Sequence, residues 1–160
     1  PGQGVLDPQV MIIGEGPERD HLLRMRDGLG LAHHALFLGA VPNQDLACYF
    51  EASLALVLTS VYEGTAKVIK EAAFARRPTI STNTSGVSDA MIPGETGFVV
   101  PVGDVGALAA AMADLLRNPE KSTVMGRKAY DFISRAFHYE RDVDALVHVW
   151  EAVLKKGQWP

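Results

Sequence analysis

Short apolar runs alternate with segments of helical spacing along almost the whole chain, and this alternation constrains the fold more than any other feature. Strand-like runs fall at Val10–Ile13, Ala35–Leu38, Leu54–Leu58, Thr79–Ser81 and Phe98–Val100. Helices are predicted over Glu18–Leu29, Asn43–Ala52, a segment ending at Ala75, Val105–Arg117, Glu120–Ala136 and Glu140–Lys156. Strands that alternate with helices are typical of a parallel sheet covered on both faces, so the sequence predicts the α/β class.

Length and composition favour one folded domain. The chain has 160 residues, of which 48% are hydrophobic, and two complete domains are not expected. The formal net charge is −4 and the basic residues are scattered, so we expect no nucleic acid partner. The single cysteine, Cys48, excludes an intrachain disulfide and is interpreted as a buried small hydrophobe. No apolar run approaches the ~20 residues of a membrane span, and a cytoplasmic location is expected.

The junction between the Leu54–Leu58 run and the next helix is the most plausible binding site. Glu63 and Glu71 lie on either side of the predicted start of that helix. A strand-to-helix turn at the carboxyl edge of a parallel sheet presents free backbone N–H groups and the positive end of a helix dipole, which suits a phosphate. A sugar hydroxyl attached to that phosphate could reach Glu71.

Each candidate has a simpler alternative reading. Gly14 and Gly16, in a turn after the first strand, could let a ligand approach the backbone, or could serve only a tight turn. Glu63 could be a solvated loop carboxylate. Lys67 stands one turn before Glu71, so an ordinary surface ion pair would account for both. No arrangement typical of metal binding or serine hydrolysis is present, and we expect no metal.

Six motifs together resemble the carboxy-terminal, donor-binding domain of the group 1 (family 4-type) retaining glycosyltransferases, which have two Rossmann-like domains in the GT-B arrangement. The match runs from about Val10 to Leu154. The motifs are Ile12-Ile13-Gly14-Glu15-Gly16-Pro17, Leu36-Phe37-Leu38-Gly39-Ala40-Val41-Pro42, Ser60-Val61-Tyr62-Glu63-Gly64, Glu71-Ala72, Arg77-Pro78-Thr79-Ile80-Ser81-Thr82 and Gly94-Glu95-Thr96-Gly97-Phe98-Val99-Val100-Pro101.

The resemblance implies a role for each candidate residue. Glu71 matches the glutamate that holds the nucleotide ribose, and Glu63 matches the one beside the donor sugar, which we take as catalytic. The remaining donor-binding candidates are backbone positions that would face the diphosphate (Ala66, Lys67, Val68), border the donor (Gly14, Gly16) or lie against the base (Ala40, Val41). The resemblance implies a nucleotide-diphosphate sugar as the donor and implies no cofactor.

The sequence departs from the commonest family pattern at Thr65-Ala66-Lys67. This tripeptide is similar to a subgroup that acts on lipid-linked saccharides, so a sugar or lipid-linked saccharide is the expected acceptor. Peripheral attachment to the inner membrane would then come through an N-terminal domain that we expect outside residues 1–160.

The resemblance also implies that residues 1–160 form a single, partial nucleotide-sugar-binding domain. By the same resemblance, we expect the N-terminal acceptor domain to be absent, together with the first strand and helix of the donor domain. The missing strand is expected inside the sheet, between Val10–Ile13 and Leu54–Leu58. We expect either a gap closed by rearrangement or a strand supplied by another chain.

The resulting hypothesis is a fragment of a retaining glycosyltransferase that is inactive on its own and transfers a hexose-type unit to a hydroxyl acceptor. Two alternatives are a non-catalytic nucleotide-sugar-binding subunit and a sugar-nucleotide epimerase of GT-B type. The base, sugar and acceptor are not predicted.

Overall fold

The computed structural model describes residues 8–64, 67–137, 147–148 and 151, and strands alternate with helices along them. The five strands are β1 (Val10–Ile13), β2 (Ala35–Gly39), β3 (Leu56–Leu58), β4 (Thr79–Thr82) and β5 (Gly97–Val100). The α-helices are α1 (Arg19–Gly28), α2 (Leu46–Ala52), α3 (Lys67–Phe74), α4 (Val105–Arg117) and α5 (Pro119–Ala136), and a 3-10 turn over Asn43–Asp45 precedes α2. The predicted α/β class is confirmed.

The strands form two parallel sheets rather than one. β1 pairs with β2, and β3, β4 and β5 pair in that order, with all pairs parallel. In a doubly wound sheet the first strand of the domain lies at the centre, between the second and the fourth. β1 and β3 take the places of those two neighbours, and no strand pair joins them within the described residues. The interruption lies where the sequence analysis expects the missing strand.

The buried core belongs to the β3–β5 half of the molecule. α3 and α5 contribute Ile69, Ala73, Ala129 and Ile133 to one apolar cluster, and a second cluster joins β4 and β5 to α4 and to Met125 of α5. All four residues of β4 are buried, as expected for the central strand of a covered sheet. By contrast, no residue between 8 and 52 is fully buried. The first half of the chain therefore lacks a closed core in this structure.

Local details correct several sequence expectations. Asp104 caps α4 as predicted, because its carboxylate accepts from the Ala107 N–H at 2.8 Å. Asn43 does not cap a helix through its side chain; it begins the 3-10 turn. Cys48 is exposed rather than buried. The helix predicted over Glu140–Lys156 lies mostly outside the described residues.

None of the described helices is both long and apolar enough to cross a membrane.

Candidate functional site

Glu63 lies in a loop after the carboxyl end of β3 and is half-buried. Ser60 Oγ donates to Glu63 Oε2 at 3.3 Å, which links the carboxylate to the start of its own loop. Its backbone carbonyl accepts from the Gly86 N–H at 3.0 Å and from Ser85 Oγ at 3.1 Å. The position of Glu63 is thus set by a segment more than twenty residues later in the chain.

Close packing at Gly86 makes this arrangement possible. A Cβ atom at Gly86 would lie 2.7 Å from the Gly64 carbonyl oxygen and 2.9 Å from that of Glu63, closer than real Cβ atoms come. Thr82, at the end of β4, adds a hydrogen bond from Oγ1 to the Ser60 carbonyl at 2.5 Å. These supporting residues lie in a hydroxyl-rich segment at and after the end of β4, and residue type alone does not reveal their partners.

The first turn of α3 has the features expected of an anion-binding site. Lys67 and Val68 are the first two residues of the helix, so their N–H groups lack acceptors within it and lie at the positive end of its dipole. Ile69, Ala72 and Ala73 are buried and fix the helix against the core. Ala66, the third predicted phosphate-facing residue, lies outside the described residues.

Glu71 and Lys67 form an ion pair across one turn of α3. Lys67 Nζ lies 3.5 Å from Glu71 Oε1, with side chains 75% and 33% exposed. This is the contact that the alternative interpretation predicted, and an exposed pair of this kind contributes little to stability. Glu71 lies roughly 6 Å along the helix axis from Lys67, and its carboxylate stays accessible to a ligand.

The residues predicted to border the donor or to lie against the base are found at the carboxyl ends of β1 and β2. Gly14 has φ +131°, a conformation that favours glycine, and its N–H donates to the Gly39 carbonyl at 2.8 Å. Ala40 is exposed and Val41 is half-buried directly after β2. Gly16 is exposed, and no atom lies within 4 Å of a Cβ built there, so packing within the chain does not require glycine.

The candidate residues thus lie in two groups, one at the carboxyl end of each sheet. Gly14, Ala40 and Val41 belong to the β1–β2 sheet, and Glu63, Lys67 and Glu71 follow β3. In the described part of the chain, no cluster of three or more histidine, cysteine or acidic side chains could hold a metal ion.

Most of the chain matches the model of one protein family. Residues 5–132 match the model of the glycosyl transferases group 1. The chain belongs to that family. The membership confirms the family resemblance stated from the motifs.

Two curated relatives of this chain have informative names. The chain is 28% identical over 150 residues to the N-acetyl-alpha-D-glucosaminyl L-malate synthase of Bacillus anthracis, covering 94% of this chain and 39% of the relative. It is 30% identical over 129 residues to the GDP-mannose-dependent alpha-(1-6)-phosphatidylinositol monomannoside mannosyltransferase of Mycolicibacterium smegmatis, covering 76% of this chain and 34% of the relative. The chain therefore spans well under half of the length of either relative.

Solved structures agree on the fold of this chain. The structure of Anabaena Alr3699/HepE in complex with UDP superposes with a TM-score of 0.83 at 20% identity, covering 94% of this chain and 45% of that chain. The fold is that of one Rossmann-like half of a GT-B enzyme, and the share covered is consistent with the carboxy-terminal half.

Proposed function

We propose that this chain forms the donor-binding half of a retaining glycosyltransferase, which moves a hexose-type unit from a nucleotide-diphosphate sugar to a hydroxyl acceptor. One observation carries the proposal. The half-buried Glu63, the first turn of α3 and the accessible Glu71 follow one another at the carboxyl end of β3, the edge at which parallel α/β sheets bind nucleotides.

The diphosphate would bind at the first turn of α3. In this proposal the N–H groups of Lys67 and Val68 face the diphosphate, and the helix dipole stabilises its negative charge further. The N–H group of Ala66, which only the sequence analysis assigned, would have the same role. The Lys67 ammonium group would exchange its weak contact with Glu71 for the more highly charged phosphate. That exchange frees the Glu71 carboxylate to accept hydrogen bonds from two ribose hydroxyls.

Glu63 is the proposed catalytic residue. When a sugar leaves its diphosphate, positive charge develops at the anomeric carbon, and a nearby carboxylate stabilises that charge. The contacts from Ser60, Ser85 and Gly86 hold the Glu63 loop in place before the ligand arrives. A preorganised carboxylate has less reorganisation to undergo during the reaction.

The names of two similar proteins support the donor class. The Anabaena protein was solved with UDP, and the mycobacterial relative is named as GDP-mannose-dependent. A nucleotide-diphosphate sugar is therefore the proposed donor, with the base left open. The names of the two curated relatives do not favour the epimerase alternative.

The acceptor would bind to a second domain. The chain spans 39% of the Bacillus anthracis relative, so the remaining length could supply an acceptor-binding domain. We propose that residues 1–160 alone are inactive, because transfer needs a cleft that excludes water and aligns the acceptor hydroxyl. A lipid-linked saccharide acceptor, reached by a cytoplasmic enzyme at the membrane surface, would agree with the phosphatidylinositol mannoside in the name of the mycobacterial relative.

Calorimetric titration with UDP, GDP and their sugar conjugates tests the ribose assignment. We expect Glu71→Ala to weaken nucleotide binding roughly tenfold or more, because hydrogen bonds to a charged group are lost. Glu95→Ala is the matched control, since Glu95 forms a comparable exposed pair with Lys128 at 3.6 Å. Equal affinities of Glu71→Ala and the unmodified chain would refute the assignment.

A further inference from the structure

A groove opens at the end of the β3–β5 sheet opposite the proposed nucleotide site. It has a volume of about 730 Å³ and lies where α3 ends and β4 begins, beside α5. Its lining includes three arginines and two aromatic rings: Arg76, Arg77, Arg127, Phe74 and Tyr130. Because α3 runs from one edge of the sheet to the other, the groove is separate from the Glu63 loop.

Arg76 occupies a backbone position that favours glycine. Its φ is +56°, and among the described residues it is the only non-glycine with positive φ. Its N–H donates to the Ala73 carbonyl at 2.9 Å and so helps to close α3, a task that glycine performs without steric strain. Strained backbone positions cluster at functional sites. The functional candidate here is the guanidinium group.

The aromatic ring of Tyr130 orients that guanidinium group. Arg76 Cζ lies 4.9 Å from the centroid of the Tyr130 ring, and Phe74 meets the same ring edge-on at 6.3 Å between centroids. A guanidinium stacked on a ring keeps the N–H groups of its edge available for an anion. Phe74 is 53% exposed, so part of its ring remains free to contact a ligand.

The other two arginines add positive charge, and no ion pair found among the described residues includes either of them. Arg77 Nη2 donates to the Glu51 backbone carbonyl at 2.7 Å, and its Nε is buried without a partner in the described part of the chain. Glu51 and Asp131 also line the groove. With three arginines against two carboxylates, the lining keeps an excess of one positive charge on a chain whose formal net charge is −4.

We propose that this groove binds a small phosphate-bearing molecule that also carries a ring. The arginines bind the phosphate, and the free face of Phe74 packs against the ring. A sugar phosphate and a nucleoside monophosphate share this chemistry. Either would act at a distance from the nucleotide-sugar site, as a regulator or as a second substrate.

Calorimetric titration with inorganic phosphate, glucose 6-phosphate and AMP tests the proposal. Glucose 6-phosphate or AMP should bind more tightly than inorganic phosphate, and whichever binds better identifies the ring. Arg127→Ala should weaken that binding roughly tenfold, the usual cost of losing a charge-assisted hydrogen bond. Arg117→Ala, at the exposed last turn of α4, is the control and should leave the affinity unchanged.

Arg76→Gly gives the sharpest result, because stability and binding should change in opposite directions. Removing the strained residue should raise Tm, while the loss of the guanidinium should weaken binding. Equal affinities of the unmodified chain, Arg76→Gly and Arg127→Ala for all three probes would overturn the proposal, as would binding of inorganic phosphate alone. Glu71→Ala should leave the binding of glucose 6-phosphate unchanged, because this probe has no ribose, so failure here is distinguishable from failure of the proposed donor site.

Discussion

At the scale of single residues, the position of Glu63 depends on the absence of a side chain at residue 86. Gly86→Ala would place a methyl group against two backbone carbonyls, which cannot move as a flexible side chain can. We expect a loss of about 1–3 kcal/mol in the free energy of unfolding, measured by urea denaturation. Gly28→Ala is the control, because it has free space in α1 and should be neutral or slightly stabilising. Equal stability of the two variants would contradict the packing argument.

Residue-level prediction succeeded where the partners lie close together in the chain. The Lys67–Glu71 pair follows directly from helical spacing, and the structure shows it. The support of Glu63 by Gly86 and of Ser60 by Thr82 could not be predicted, because each joins residues more than twenty positions apart. Cys48 was wrongly expected to be buried, since α2 belongs to the half of the molecule without a closed core.

At the scale of elements, the cap of α4 gives a direct test. Asp104→Ala removes the hydrogen bond to the Ala107 N–H and should cost about 1 kcal/mol, which lowers Tm by roughly 2–4 °C in a chain of this size. Asp45→Ala is the comparison, because Asp45 precedes α2 without a side-chain cap bond. Calorimetric melting should show a lower Tm only for Asp104→Ala. A shift of the same size for both would show that the cap itself is unimportant.

Every predicted element within the described residues exists, with small differences at its ends. Within the apolar run Leu54–Leu58, only Leu56–Leu58 forms a strand. Apolar residues indicate where a chain is covered, and they can extend beyond the residues that are hydrogen-bonded to a neighbouring strand. Asn43 begins a 3-10 turn after Pro42 instead of capping a longer helix. Such ends depend on local backbone geometry, which residue type alone specifies weakly.

At the scale of the whole molecule, the interrupted sheet explains the uneven core. The β3–β5 half has helices on both faces, whereas β1 and β2 leave all their residues at least partly exposed. The alternation of elements predicted the α/β class but not the strand pairing. The position of the interruption, between β1 and β3, was predicted from the family resemblance. A strand supplied between β1 and β3 by another chain remains a prediction.

The central claim is that a nucleotide binds at the carboxyl ends of β1, β2 and β3, with its ribose at Glu71. The most direct measurement is the mapping of backbone amide shifts in the ¹⁵N-labelled chain during titration with UDP and GDP. We predict that the largest shifts occur at Gly14, Ala40–Val41, Glu63–Gly64 and the first turn of α3, and that Glu71→Ala reduces them. Shifts confined to the groove beside Arg76 and Tyr130, with α3 residues 67–71 unaffected, would contradict the account.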